Sequence, residues 1–419
     1  MYGFGGFARP SMITARVAPA NLRMELQSAA RPALAIIANA MTPYRLHLHR
    51  RIAGELPQIK LFSVFTHDVS NAPWMLSPPA EISPVMFGHG ETSETQGKLG
   101  TSLHEWHKGA RIIEWLEEQN IRAVVLLGYN DPGRLRILRW CAKHKVPIFL
   151  WGDSNIHGDN AGGWRGMVKR VLVRRIVNSC DGVMPCGSLG ARYFARYGAT
   201  PRRTFLMPYE PDYQMIQNVD ESLVEQTRQK FGLNSMRRRI VFSGRLIEIK
   251  RPELVIDAFA KIAADRPEWD LLMVGAGVMQ ESLRQRVPQM LRERIFWTGF
   301  INDQKILAAL YRLSDVLVLP SDYEPWAVVI NEAAAAGLAI IASNVVGAAA
   351  ELVRDGVNGH LFRVGDLADL TRSLLDVTDA NKIDAMKSAS LAVLADWRNR
   401  ADPVRGLRDA LAFSGVIKK

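Results

Sequence analysis

The strongest constraint on this chain is a pattern that runs twice along it. A short apolar run is followed by a stretch with helical spacing, then by another short apolar run. In the first series the apolar runs occupy residues 34–38, 59–65, 123–127, 147–151 and 182–185. Helical patterns at 44–55, 103–119, 133–144, 164–178 and 188–197 alternate with them. The second series has strands at 239–243, 270–275, 295–298, 316–319, 338–342 and 359–362. Its helices fall at 252–264, 306–313, 326–336 and 367–375. Strand and crossover helix in alternation build a parallel sheet covered by helices. Two such series predict an α/β chain of two doubly wound Rossmann-like parallel-sheet domains facing across a cleft. Open parallel sheets take ligands at the carboxyl ends of their strands, so the cleft is the expected site.

A length of 419 residues suits two domains of about 150 to 200 residues each. Residues 1–30, rich in Gly, Ala, Arg and Pro, read as a mobile N-terminal extension. The first domain is expected over 31–206 and the second over 207–390, with a linker-like stretch at 207–220. A C-terminal segment, 391–419, carries a last helix at 403–413. The stretch 66–102 reads as a long irregular insertion, the kind of loop that tends to carry function.

No run of 18 or more apolar residues appears, which excludes an evident transmembrane helix. Arg9, Pro10, Arg16 and Pro19 break up the apolar residues that a signal peptide would need. Cys141, Cys180 and Cys186 have neither metal-ligand spacing nor the numbers for a disulfide framework, which points to a reducing cytoplasm. The net charge of +11 favours an anionic partner.

The most informative segment runs from Ser321 through Asp322, Tyr323, Glu324, Pro325 and Trp326 to Glu332 and Ala333. A strand ends at Leu319, a turn carries Glu324, and Pro325 suits the first turn of a helix because it has no amide hydrogen to leave unpaired. The amides around Ala327, Val328 and Val329 would then point out of a helix N-terminus, an anion site fit for a diphosphate. Glu332 follows further down the helix, so two carboxylates flank the phosphate cradle. Taken singly, Glu324 also reads as a helix cap and Glu332 as a solvated helical residue. A second cluster, Ser243-Gly244-Arg245 with Lys250 and Arg251, follows the first strand of the second series. Gly244 lets a ligand approach the backbone, and Arg245 and Lys250 can place cations on phosphate oxygens. Alone, it also reads as an exposed basic loop.

Together these pieces resemble glycosyltransferase family 4, across roughly residues 240–375. The resemblance is carried by Gly-Arg-Leu-(three residues)-Lys, Val274-Gly275-Ala276-Gly277, Thr298-Gly299-Phe300, and Glu-(seven residues)-Glu followed by Ala336-Gly337. Gly347 and the run Asp355-Gly356-Val357-Asn358-Gly359 extend it. The resemblance implies the GT-B architecture and a retaining, metal-independent hexosyl transfer, with a nucleotide diphosphate sugar as co-substrate and no cofactor. It implies that Arg245 and Lys250 bind the donor diphosphate. Glu324 would hold hydroxyls of the transferred sugar and support charge at the reacting centre. Glu332 would accept hydrogen bonds from the ribose, and Phe300 and Ile301 would border the base, with Gly275 nearby. Ala327 stands where the family usually has glycine, and Ala339 where proline is common. No Asp-x-Asp metal motif occurs.

The first half speaks less directly. Arg45, in Thr42-Pro43-Tyr44-Arg45, is either a cleft residue on the acceptor side or part of a helix start capped by Thr42. Asp153, after the strand at 147–151, stands where relatives often place a histidine near the reacting sugar; it reads as a catalytic residue in contact with donor or acceptor, or as a turn or helix-cap residue. The helix from Trp164 to Asn178 has apolar positions at 164, 167, 168, 171, 172 and 176, with Arg165, Lys169, Arg170, Arg174 and Arg175 between them. Such a helix either lies on an anionic membrane or packs on the sheet with its arginines in water. No nucleic-acid module is evident.

The expected activity is therefore sugar transfer from a nucleotide donor to a glycan or lipid-linked acceptor. Envelope polysaccharide or lipopolysaccharide synthesis is the expected setting, in the cytoplasm or peripherally on the inner face of the cell membrane. The alternative is a non-catalytic sugar-nucleotide-binding or scaffold protein of the same fold.

Overall fold

The computed structural model describes residues 31–70, 74, 76–159 and 162–418. The extension expected over residues 1–30 lies outside the described residues. The first sheet contains β1 (Ala33–Ala38), β2 (Lys60–Phe65), β3 (Pro84–Met86), β4 (Ile121–Leu127), β5 (Ile148–Gly152) and β6 (Gly182–Pro185). The second contains β7 (Arg238–Ser243), β8 (Trp269–Val274), β9 (Ile295–Gly299), β10 (Val316–Leu319), β11 (Ala339–Ser343) and β12 (Gly359–Phe362). Their orders are β3-β2-β1-β4-β5-β6 and β12-β11-β10-β7-β8-β9. All the pairings within them are parallel. The two sheets thus share one winding, reversing between β1 and β4 and between β7 and β10. Central strands are buried along their whole length because helices cover both faces, as every residue of β1, β8 and β11 is.

Three expectations need correction. The insertion at 66–102 is not wholly irregular, since it supplies β3 and short 3-10 turns. The segment 207–220 is more than a linker, since it holds the short helix Tyr213–Gln217 with Tyr213 and Ile216 buried. The boundary expected at residue 390 falls inside one continuous helix, Ile383–Arg400. Its inward positions, from Ile383 and Met386 to Leu394 and Trp397, keep helical spacing straight through residue 390.

The last helix, Pro403–Phe413, packs back on the first domain. The Phe413 ring lies 5.6 Å from that of Phe205. Gly406 sits so close to the main chain that an added Cβ would come within 1.9 Å of the Leu206 oxygen. Asp402 pairs at 2.7 Å with Arg51 of the helix Pro43–Glu55, and Arg51 also pairs with buried Glu210. The two domains meet directly as well: the Ser188 amide donates to Glu351 Oε1 at 2.6 Å.

The helix Gly163–Ser179 turns out differently from a helix packed on the sheet by its apolar stripe. Val173 and Val177 are buried. Trp164, Met167, Val168, Val171 and Leu172 are exposed, Met167 at 72%. Arg170, Arg174 and Arg175 are exposed beside them.

Candidate active site

Each sheet opens a cavity beyond the carboxyl ends of its strands, near the point where its winding reverses. That is where doubly wound sheets bind ligands. The larger, about 490 Å³, is lined by Gly244, Arg245, Lys250, Gly275, Phe300, Ile301, Ala327, Val328 and Glu332. Tyr44, His47 and Trp74 line it from the first domain. The smaller, about 380 Å³, is lined by Asn39, Gly128, Asp153, Asn155 and Lys169, with Arg45 and Tyr323. Nine of the residues expected at a donor site therefore come together in one cavity, while Arg45 and Asp153 share the other. Glu324 lines neither; it is buried in the wall beside them.

The loops reach this arrangement by close backbone approach. Gly275 follows β8 with φ +132°, and a Cβ there would lie 1.9 Å from the Gly244 oxygen. Its amide donates to the Gly299 oxygen at 3.0 Å, so the ends of β7, β8 and β9 are drawn together. Gly347 does the same for the Glu324 loop: an added Cβ would come within 2.1 Å of the Pro325 oxygen.

The helix start differs from the sequence expectation. The helix is Val328–Ala335, so Pro325 and Trp326 precede it rather than forming its first turn. Ala327 occupies the N-cap position with φ 76° and ψ 83°, in the left-handed region. An alanine there is costly, by roughly 1–2 kcal/mol. The turn that brings the chain from Glu324 into the helix demands that conformation, and a glycine would adopt it freely.

Lys250 and Glu324 form an ion pair, and Ser321 Oγ donates to the same carboxylate oxygen at 3.1 Å. The Asp322 amide donates to the Ile249 oxygen at 2.9 Å, which locks the two loops side by side. Burial, then the neighbouring Arg245, pulls the Lys250 ammonium down to about 7. The Glu324 carboxylate against it acts in the opposite sense. The cap reading of Glu324 does not describe this residue, whose carboxylate is engaged by Lys250 and Ser321. Glu332 is not a solvated helical residue either. Burial raises its carboxyl to about 7, opposed by a 2.8 Å hydrogen bond from the Tyr311 hydroxyl. Tyr311 is itself 2.9 Å from Ser243 Oγ at the end of β7.

In the smaller cavity, burial pushes the Asp153 carboxyl up while the charge of Arg45 opposes the shift. Arg45 donates to the Ala40 oxygen at 2.6 Å and lies 5.7 Å from the ring centres of both Tyr44 and Tyr209. Thr42 does not cap the helix Pro43–Glu55: its buried hydroxyl has no hydrogen-bond partner. Asn155 joins the domains by donating to the Glu324 oxygen at 2.8 Å and to the Pro325 oxygen at 3.3 Å.

Four residues escaped the sequence reading: Asn155, Tyr311, Gln304 and Trp74. Asn155 stood two residues after Asp153 and could have been weighed with it. Tyr311, on the apolar face of a helix, reads as core. Among the described residues, one group has metal-ligand spacing: His67, Glu91 and Glu105. It lines neither cavity, and Lys108 Nζ already bonds to both carboxylates.

Two Rossmann-type domains, with a cation-lined cavity over one and a polar pocket over the other, make up the GT-B architecture. Residues 224–390 match the family described as Glycosyl transferases group 1. Over 387 residues the chain is 28% identical to a D-inositol 3-phosphate glycosyltransferase of Geodermatophilus obscurus, covering 87% of this chain and 83% of that one. Among solved structures, HepE of Anabaena in complex with UDP and glucose superposes with a TM-score of 0.68 at 18% identity, covering 92% of this chain and all (100%) of that one. WaaG, a glycosyltransferase involved in lipopolysaccharide biosynthesis, gives 0.63 at 17% identity, covering 91% and 100%. The second domain carries the family match, and the likeness to these proteins runs across both domains. The match marks it as a glycosyltransferase.

Proposed function

We propose that the larger cavity holds a nucleoside diphosphate sugar and the smaller one the acceptor, a glycan or lipid-linked sugar of envelope polysaccharide or lipopolysaccharide synthesis. The observation that carries this reading is the position of the Glu324 loop between them. Lys250 from the first cavity pairs with its carboxylate, and Asn155 from the second bonds to its main chain.

In this reading Arg245, Lys250 and the amides that open the helix Val328–Ala335 hold the diphosphate, and Glu332 accepts from the ribose hydroxyls. Glu324 engages hydroxyls of the sugar and stabilises positive charge at its anomeric carbon. The bond from that carbon to the β-phosphate oxygen breaks, and the acceptor oxygen adds from the same face. The acceptor proton passes to the departing phosphate. The cations and helix amides supply the positive field for the leaving group, charge that is already in place before the reaction. Asp153, protonated more readily than an ordinary aspartate, holds an acceptor or sugar hydroxyl.

The exposed apolar face of the helix Gly163–Ser179, with Arg170, Arg174 and Arg175 beside it, supports work on an anionic membrane surface. No helix among the described residues is long and apolar enough to cross a membrane. Lys169, on the same helix, lines the smaller cavity, which favours an acceptor anchored in that surface.

The test is thermal denaturation of the purified chain with UDP, GDP, ADP and their sugar conjugates, with and without chelator, since a ligand of the folded state raises the melting temperature. A rise that survives chelation and is lost in Lys250→Ala supports the donor site. Glu324→Ala should keep the fold and lose transfer; unchanged turnover removes Glu324 from the reaction.

A further inference from the structure

Two glycines of the first domain make room for two aromatic side chains carried on one loop of the second. A Cβ added at Gly158 would lie 2.3 Å from the Tyr323 hydroxyl oxygen and 2.5 Å from the ring carbon that bears it. One added at Gly187 would lie 2.7 Å from the Trp326 ring. Neither backbone calls for glycine. Gly187 is extended at φ −167°, and Gly158 ends the short turn Ile156–Gly158 outside the left-handed region. The missing Cβ atoms serve the rings.

Tyr323 and Trp326 bracket Glu324 on a loop tied to its own domain. The Gly347 amide donates to the Glu324 oxygen at 3.1 Å and the Ala348 amide to the Trp326 oxygen at 2.7 Å. Both rings therefore travel with the second domain. Their settings differ. Trp326 is buried where the chain crosses between domains: its Nε1 donates at 2.9 Å to the Tyr209 oxygen in the segment 207–220, and its ring lies 5.8 Å from that of Trp397 in the helix Ile383–Arg400. Tyr323 is half-buried, and among the described residues lining the smaller cavity it alone comes from the second domain. Asn155 shapes its seat, since Asn155 Oδ1 accepts from the His157 amide at 2.9 Å and so caps the turn that ends at Gly158.

We propose that Tyr323 seated against Gly158 is a latch that shuts the cleft. The domains turn about the contact of Trp326 with Gly187, and Tyr323 enters the Gly158 notch at full closure. Its arrival completes the wall of the smaller cavity and sets Glu324 beside it. Tyr323 is thus a positioning residue that acts through its loop, and a ring fitted into a bare notch makes closure a discrete step. The latch goes beyond the assignment of ligands to the two cavities and stands whichever ligand the smaller one takes.

Small-angle X-ray scattering of the full chain with saturating UDP, GDP or ADP tests it, beside calorimetry with the same nucleotides. The wild-type chain should scatter as the shut form. Gly158→Leu fills the notch and Tyr323→Ala removes the ring. Each should shift the profile to a larger radius of gyration, while nucleotide affinity stays within about twofold of wild type. Tyr323→Phe keeps the ring and should keep the shut profile. Gly158→Leu added to Tyr323→Ala should open the chain no further than either change alone, because both break one contact. A shut profile in both single variants overturns the latch, as does a wild-type profile as open as theirs. Opening matched by loss of nucleotide affinity also overturns it, by making Tyr323 part of the donor site. Opening at unchanged affinity supports the latch even if the smaller cavity takes no acceptor.

Discussion

Asn155 Nδ2 lies 2.8 Å from the main-chain oxygen of Glu324, a hydrogen bond that spans the two domains and is fully buried. Asn155 lines the smaller cavity, and Glu324 lies buried in the wall beside both. The bond therefore fixes where the smaller cavity stands relative to the loop that carries the Lys250–Glu324 pair. Reacting groups need near-contact geometry, and small displacements are costly in rate.

Asn155→Ala should accordingly reduce turnover by about tenfold or more, since the carbonyls of Glu324 and Pro325 lose their shared donor. The affinity for the nucleoside diphosphate should stay within about twofold, because the donor cavity is built without Asn155. Steady-state kinetics beside calorimetry separate the two effects. A parallel loss of both would make Asn155 a residue that holds the domains together and nothing more.

In the proposed donor site, Glu332 should make nucleotide binding depend on pH. Its carboxyl is raised to about 7 by burial, so it is largely protonated below that pH and cannot accept from two ribose hydroxyls. Affinity should therefore fall as pH drops from about 8 to 6, by up to about tenfold per unit at the steepest. The folding contribution runs the other way. The folded-state value lies above the unfolded one, so this group stabilises the apo fold at low pH and the benefit is lost as pH rises through about 7. Glu332→Gln should flatten both profiles. Tyr311→Phe removes the hydrogen bond that opposes the shift and should move the binding limb to higher pH. A profile unaltered by either substitution would assign the titration elsewhere.

The two sheets were legible because fully covered parallel strands are apolar along their whole length, as β1 and β10 are. The three-residue β3 was not, since it is a half-exposed edge strand that opens with a proline. Gly244, Arg245 and Lys250 were legible because charge and glycine at a strand end have few structural uses. The Glu332–Tyr311 bond was hidden, as an aromatic residue on an apolar helix face carries no mark of its hydroxyl's partner. The left-handed turn at residue 327 was hidden for a related reason: the usual cue is glycine, and the chain has alanine.

That alanine can be tested directly. Ala327→Gly relieves a left-handed backbone at the cost of a more flexible unfolded chain, for a net gain of up to about 1 kcal/mol. In a domain of this size that raises the melting temperature by about 2–4 °C. Ala327→Val should lower it, because a β-branched residue tolerates φ 76° still less well. Ala327 also lines the larger cavity, so in the proposed donor site the glycine variant should change KM for the donor more than kcat. A glycine variant less stable than wild type would mean that the alanine methyl makes a packing contact worth more than the strain.

The helix Gly163–Ser179 yields the prediction least dependent on the reaction. Met167 and Val171 are exposed, so Met167→Asp and Val171→Asp should leave the melting temperature within about 1 °C, as surface changes usually do. Both should reduce flotation with vesicles containing anionic lipid, because they put charge into the face that would enter the headgroup layer. Arg170→Glu and Arg174→Glu should reduce flotation with anionic vesicles far more than with neutral ones, each basic residue near such a surface contributing about 1 kcal/mol. Raising the salt should mimic the arginine substitutions but not the apolar ones, since screening weakens charge attraction and leaves apolar burial intact. Equal recovery of all variants on both kinds of vesicle would show that the exposed stripe serves something other than a lipid surface. Sedimentation of the same variants would then test self-association through that face.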